Sequence, residues 1–251
     1  MSILEMKNVG VTLGNTAVLG DISMRVAEGE FISILGPSGA GKSTIFRLLT
    51  GALRHDRGAI TCNGRPLAQN QKGFAFMPQR DALMPWRRIL DNLTLGLEVQ
   101  GMARKHARDR VVPFLHDFGL TGFEQHYPAQ LSGGMRQRAA LLRTVVQARP
   151  VQLLDEPFGA LDALTRTRMQ KWFEERWRAA RWTTVLVTHD VREAVALSDR
   201  IYVLSCRPAR VIAEVAVPTA RPRMNRVVTA EAHALEAHLL DILLNQTGDQ
   251  I

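Results

Sequence analysis

The chain has 251 residues, 46% of them hydrophobic and 22% charged, with a formal net charge of +8. That length supports a sizeable core in one large or two small domains, and the composition excludes a disordered polymer. The longest apolar runs, Ala139–Leu142 and Val151–Leu154, fall far short of the roughly 18 residues of a membrane span.

The isoelectric point near 10.3 admits nucleic acid, an anionic membrane surface or anionic ligands as partners. The basic residues are scattered among acids, as where Arg166–Arg181 includes Glu174 and Glu175; they read as a solvated surface, and no nucleic-acid partner is expected. The exception is the basic connector Arg221-Pro222-Arg223-Met224-Asn225-Arg226, open to a phosphate or membrane-surface contact. Cys62 and Cys206 stand alone, which suggests two buried thiols in a reducing compartment. No basic segment followed by an apolar one opens the chain, so no signal peptide is expected.

In chain order, residues Ile3–Val26 read as strands without helices, an antiparallel β layer. Phe31–Leu35 is short and alternates apolar residues, which predicts a buried strand. A helix with Ile45, Leu48, Leu49 and Ala52 on one face follows. Further strands are predicted at Gly73–Met77, Val151–Leu154, Thr183–Val187 and Arg200–Leu204. Helical periodicity covers Ile89–Val99, Ala103–Phe118, Met135–Gln147 and Thr165–Ala180. Strands alternating with amphipathic helices imply an α/β fold whose parallel-sheet core is covered on both faces. The stretch from about Arg80 to Arg149 reads as almost wholly helical, an inserted subdomain. The main domain is expected over 3–217, and 218–251 as connector plus amphipathic helix. There Thr229 is the expected N-cap, Glu231 lies in the first turn, and Leu235, Leu239, Ile242 and Leu243 form an apolar stripe expected to pack on the chain's own domain, with binding to a partner as the alternative. No internal repeat is present, which excludes two tandem units.

The loop Gly36-Pro37-Ser38-Gly39-Ala40-Gly41-Lys42-Ser43-Thr44 satisfies G-x-x-x-x-G-K-[ST] between a predicted strand and helix. Glycines allow successive N–H groups to face phosphate oxygens, and the helix adds its positive end. The expected ligand is ATP, with Lys42 at the β- and γ-phosphates, Ser43 on Mg²⁺ and Thr44 at the α-phosphate. Two acids end a buried strand: Asp155 suits the metal, and Glu156 suits a general base polarising the attacking water. Leu131-Ser132-Gly133-Gly134-Met135-Arg136-Gln137-Arg138 opens a second anion-binding helix. One ATP does not need two cradles, which suggests two chains facing head to tail, each completing the other's site.

Here the residues resemble the ABC ATPases over about Ile3 to Val217, with Met135 where their LSGGQ signature has Gln. The resemblance implies a P-loop NTPase fold and ATP hydrolysis. It implies Gln79 as the Q-loop residue on Mg²⁺ and water, and Ser132, Gly133, Gly134 and Asp162 as contacts to the partner chain's ATP. His189 matches the switch histidine that holds γ-phosphate and water. One departure is Leu13, where the family places an aromatic residue that stacks on adenine.

Met77–Asn92, with LSGGMRQR and Phe158–Thr165, resembles the importer ATPases of the nitrate/sulfonate/taurine type, a group that includes transporters of thiamine-precursor pyrimidines. The resemblance implies a homodimer at the cytoplasmic face of the membrane, with polytopic permease subunits and an extracytoplasmic substrate-binding protein. Leu83, Met84, Pro85 and Trp86 either line the groove for a permease helix or belong to the core of the helical subdomain. Soluble ABC ATPases of DNA repair, translation or iron–sulfur assembly are the competing expectation; their long coiled-coil insertion or second cassette is not seen here.

Overall fold

The structure, a computed structural model, describes residues 2–69, 73–224 and 229–245. Five strands form a parallel core: β3 (Phe31–Leu35), β6 (Phe74–Met77), β7 (Val151–Asp155), β8 (Thr183–Val187) and β9 (Arg200–Leu204). Each bonds in parallel to its neighbours in the order β9-β3-β8-β7-β6. Their side chains alternate between faces. Ile32, Ile34, Leu153, Val185 and Val187 face one apolar cluster, and Phe31, Leu154 and Leu186 face another. Both faces are therefore buried, as a parallel sheet requires.

One face is covered by α1 (Lys42–Leu49), whose Ile45, Phe46, Leu48 and Leu49 pack beneath the antiparallel pair β1 (Ser2–Leu13) and β2 (Thr16–Ala27). Two strands not foreseen, β4 (Arg57–Cys62) and β5 (Arg65–Pro66), extend that layer. A third, β10 (Ala209–Ala216), pairs parallel to β2 and antiparallel to β9. It joins the layer and the parallel core edge to edge into one sheet, β5-β4-β1-β2-β10-β9-β3-β8-β7-β6.

The other face carries α2 (Ile89–Val99), α3 (Arg104–Val111), α4 (Gly133–Val145) and α5 (Ala163–Ala180). Their shared core includes Leu93, Leu97, Phe118, Leu141, Phe173 and Trp177. The insertion is less helical than its periodicity suggested. Pro113 tightens the chain into a 3-10 turn at Val112–Phe114. Gly119 and Gly122 then take φ values of 58° and 87°, and no α-helix forms again before Gly133.

A seven-residue helix, α6 (Val191–Leu197), follows β8 and was not foreseen. Against it packs α7 (Ala230–Asn245), through Leu235, Leu239, Ile242 and Leu243. Thr229 caps α7, its hydroxyl accepting from Ala232 N at 3.2 Å. The described part of the basic connector, residues 221–224, is half-buried and bonded to the chain's own domain. Arg221 Nε donates to Asp199 at 3.0 Å, and its guanidinium lies 4.3 Å from the Trp177 ring centre. The Arg223 and Met224 N–H groups donate to the buried Glu174 carboxylate at 2.9 and 3.0 Å. Burial pushes the Arg223 guanidinium down to about 10. Asn225 and Arg226 lie outside the described residues. Cys62 is buried as expected, but Cys206 is only half-buried.

Candidate functional site

Four adjacent parallel strands end on the same edge of the sheet, where α/β folds place their ligands. β3 leads into Gly36–Gly41, β8 into Thr188–His189, β7 ends at Asp155 before Glu156, and β6 leads to Gln79. Strand order, not sequence distance, brings these residues to one edge.

The first loop turns tightly, with Ala40 N donating to Pro37 O at 3.1 Å and φ values of 78° at Gly39 and 101° at Gly41. A Cβ on Gly41 would lie 2.9 Å from Leu19 Cδ2 and 3.1 Å from Val18 Cγ1. A Cβ on Gly36 would lie 3.1 Å from Leu204 Cβ. The cradle is therefore pressed against β2 and β9: the positive φ and the close β2 side chains favour glycine at Gly41, while a side chain at Gly36 would need Leu204 to give by a few tenths of an ångström. Gly41 caps α1 without a side-chain bond, and no acid occupies the first turn. The positive end of α1 is left for an anion. Ser38, Gly39 and Ser43 are exposed beside it, while Pro37 is half-buried and Ala40 and Thr44 are buried. Lys42 Nζ donates to the Gly36 and Pro37 carbonyls at 2.7 and 2.9 Å. Burial lowers its pKa, opposed by the charges of Glu156 and Asp155.

Asp155 is buried, which pushes its carboxyl up to about 6 against a hydrogen bond from Ser43 and the charge of Lys42. Glu156 sits at φ 49°, a left-handed conformation that costs a non-glycine residue on the order of 1 kcal/mol. Three backbone anchors hold it there. Its N–H donates to Val187 O at 2.9 Å, and its C=O accepts from Gly159 N at 3.2 Å and from Gln137 Nε2 at 3.0 Å. Its carboxylate then meets Gln79 Nε2 at 3.3 Å and His189 Nδ1 at 3.3 Å. Sequence reasoning missed Gln137; its only sign was its place one turn into α4 from Gly133.

Ser132 caps α4, its hydroxyl accepting from Met135 N at 3.2 Å. Gly134 lies beside the 159–162 segment, its Cβ position 3.5 Å from Ala160 O. Asp162 caps α5, and hydrogen bonds from Thr165 hold its carboxyl below the usual range. Among the described residues, no hydrogen bond or ion pair joins Ser132, Gly133, Gly134 or Asp162 to Gly36–Thr44. One chain thus holds two separate cradles.

The segment after Gln79 is fastened to α4 by two arginines that sequence reasoning also missed. Arg136 Nε meets Asp81 at 3.0 Å, and Arg143 donates to the Asp81 and Ala82 carbonyls, both at 2.7 Å. They lie seven residues apart, on one helix face, which is the sign available beforehand. Buried Asn92 accepts from Met84 N at 2.7 Å and donates to Arg87 O at 2.9 Å. Leu83 packs in the core at 7% exposure, whereas Trp86 projects at 73%. The four residues Leu83–Trp86 therefore divide between core and surface.

A glycine cradle at a helix start, with two acids and a histidine at neighbouring strand ends, defines a P-loop nucleoside triphosphatase site. The ABC transporter family pattern matches residues 19–159, more than half of the chain. A formylaminopyrimidine import ATP-binding protein, ThiZ, from Halalkalibacterium halodurans is 45% identical, covering 81% of this chain and 80% of its own. An aliphatic sulfonates import ATP-binding protein, SsuB 1, from Rhodococcus jostii is 42% identical, covering 96% and 93%. Among solved structures, the ATP-binding cassette MJ0796, a dimer bound to ADP and phosphate after hydrolysis, superposes with a TM-score of 0.78. It is 28% identical, covering 86% of this chain and 100% of its own. The chain belongs to the ABC transporter family, as an ATP-binding subunit with ATPase activity. Among the described residues no helix is long and apolar enough to cross a membrane.

Proposed function

We propose that this chain is the motor subunit of an importer, working as a homodimer in which each Gly36–Thr44 loop is completed by Ser132, Gly133, Gly134 and Asp162 of a second copy. The observation that carries the reading is the convergence of Gln79 and His189 on the Glu156 carboxylate, beside the cradle. The loop N–H groups and Lys42 bind the phosphates. Glu156 takes the proton of a water that attacks the γ-phosphorus; the bond to the bridging oxygen breaks, giving ADP and phosphate. His189 and Gln79 hold that water and the γ-phosphate in place.

A magnesium ion suits the donors present. Ser43 is hydrogen-bonded to Asp155, and among the described residues no group of three His, Cys, Asp or Glu could hold a metal alone. Mg²⁺ commonly takes one or two protein oxygens and completes its shell with phosphate and water. Ser43, Asp155 and Gln79 would hold it; when bound, it neutralises charge on the phosphate oxygens.

Closure of the dimer on two ATP molecules drives permease subunits at the cytoplasmic face of the membrane, where the chain sits peripherally; hydrolysis reopens it. An extracytoplasmic binding protein delivers the solute. The solute proposed is a nitrate/sulfonate/taurine-type anion or a thiamine-precursor pyrimidine; the relatives named for aliphatic sulfonates and for formylaminopyrimidine support the sulfonate and the pyrimidine. The test is disulfide cross-linking of the Ser38→Cys, Ser132→Cys double variant. ATP-dependent dimers linked between chains are expected, and their absence at saturating ATP would overturn the shared site.

A further inference from the structure

Two helices leave the candidate site, and a polar ladder joins them. α5 starts just after Asp162, and α6 starts just after His189 and Asp190. At the rim, Arg166 Nη1 lies 3.7 Å from Asp190 Oδ2. One turn deeper, Gln170 Nε2 donates to Glu193 Oε1 at 2.9 Å, with both residues buried. Residues 166 and 170, four apart, share a face of α5, as 190 and 193 share one of α6.

The deeper rung also grips the strand end that bears the histidine. The Glu193 carboxyl is hydrogen-bonded by the Thr188 side chain. Thr188 Oγ1 in turn accepts from Asp190 N at 3.1 Å, and Asp190 Oδ1 accepts from Glu193 N at 3.2 Å. Both neighbours of His189 are thus tied to Glu193. The His189 ring itself is exposed and, among the described residues, pairs with the Glu156 carboxylate alone. Its position is set by the backbone beneath it.

Glu193 is a poor choice for stability. Among the described residues it forms no direct ion pair with a cation, and burial pushes its carboxyl up to about 7 against hydrogen bonds from Thr188 and Gln170 and the charge of Arg166 nearby. A buried acid without a paired charge is costly, and an apolar residue of similar size would serve packing better. A role in placement accounts for it.

We propose that Glu193 and Gln170 are positioning residues for ATP hydrolysis: their buried bond locks the helix behind Asp162 to the helix behind His189, so that the imidazole is held at Glu156. A displacement of Asp162 by the opposing chain is then passed through α5 to His189. This inference rests on the assignment of Glu156 and His189 to hydrolysis.

The test is steady-state ATP hydrolysis by purified full-length Glu193→Ala, Gln170→Ala, the double variant, Glu193→Gln and a His189→Ala control. Each is normalised to folded protein. Either alanine variant is expected to lower kcat about tenfold with KM for ATP within about twofold of wild type. The double variant is expected to be no worse than the worse single variant, because both break one bond. Glu193→Gln, whose carboxamide oxygen still accepts from Gln170, is expected to keep at least about half of the wild-type kcat. Unchanged kcat, a KM that rises in step, or losses that multiply in the double variant would overturn the proposal. If Glu193→Ala does not fold, the Gln170→Ala and Glu193→Gln pair decides by the same criteria. Wild-type hydrolysis by His189→Ala would refute the site assignment itself. An inactive His189→Ala beside fully active Glu193→Ala and Gln170→Ala would refute the positioning role alone.

Discussion

Replacing Gly41 by alanine tests whether the cradle is shaped by packing as well as by backbone freedom. At φ 101° any side chain is strained, by roughly 1–2 kcal/mol. The new Cβ would also press on Leu19 at 2.9 Å and Val18 at 3.1 Å. Both are buried β2 side chains with little room to move, and overpacking of that kind costs about 1–3 kcal/mol. The total is roughly 2–5 kcal/mol, or a fall in Tm of roughly 5–15 °C for a chain of this size. Gly39→Ala is the matched control. Its φ is 78°, but the nearest atom to its Cβ is Arg207 Nη2 at 3.9 Å, so only the strain of about 1–2 kcal/mol applies. Differential scanning calorimetry of both variants separates the two costs. Equal losses, or a Gly41→Ala variant as stable as wild type, would show that β2 does not buttress the loop.

Three further outcomes are expected. Leu83→Ala should destabilise the chain by about 2–4 kcal/mol, whereas Trp86→Ala, at 73% exposure, should change stability by under about 0.5 kcal/mol yet weaken co-purification with a permease; equal unfolding midpoints for the two would contradict this division. Leu13→Tyr should tighten ATP binding about fivefold or more through stacking on adenine, measured by titration against a triphosphate lacking the base; unchanged affinity would mean that the β1–β2 turn does not meet the base. The Glu193 carboxyl titrates near 7 when folded, against an ordinary value of 4.5. The native state therefore binds the extra proton between those values, and stability falls as pH rises through that window. Urea unfolding of Glu193→Gln should lack this fall, gaining on the order of 3 kcal/mol over wild type between pH 4 and pH 8; parallel pH profiles for the two proteins would refute it.

The parts of the fold legible beforehand were those written in local pattern. Phe31–Leu35 alternates, the G-x-x-x-x-G-K-[ST] spacing demands a turn and a helix, and two acids close an apolar run at Asp155–Glu156. β4 opens with exposed Arg57 and Gly58, and β10 has Ala, Arg and Glu between its apolar residues, so neither carries a strong strand signal; pairing with β1 and with β9 makes them strands. The break-up of the 115–132 stretch was legible in Gly119, Gly122 and Pro128, breakers that the apolar periodicity obscured. The supporting polar residues were hidden for a different reason. Gln137, Arg143 and the pair Gln170–Glu193 act on groups 19 to 62 residues away. Only the assembled sheet makes those distances short, and an isolated glutamine or glutamate on a helix looks the same whether it faces water or a backbone carbonyl.

ATP hydrolysis by Glu156→Gln bears most directly on the central claim. The carboxamide keeps the side chain's shape but removes the proton acceptor facing Gln79 and His189. ATP affinity within about threefold of wild type is expected, with kcat lower by about 100-fold or more, the scale of a lost general base. Hydrolysis near the wild-type rate would contradict the account.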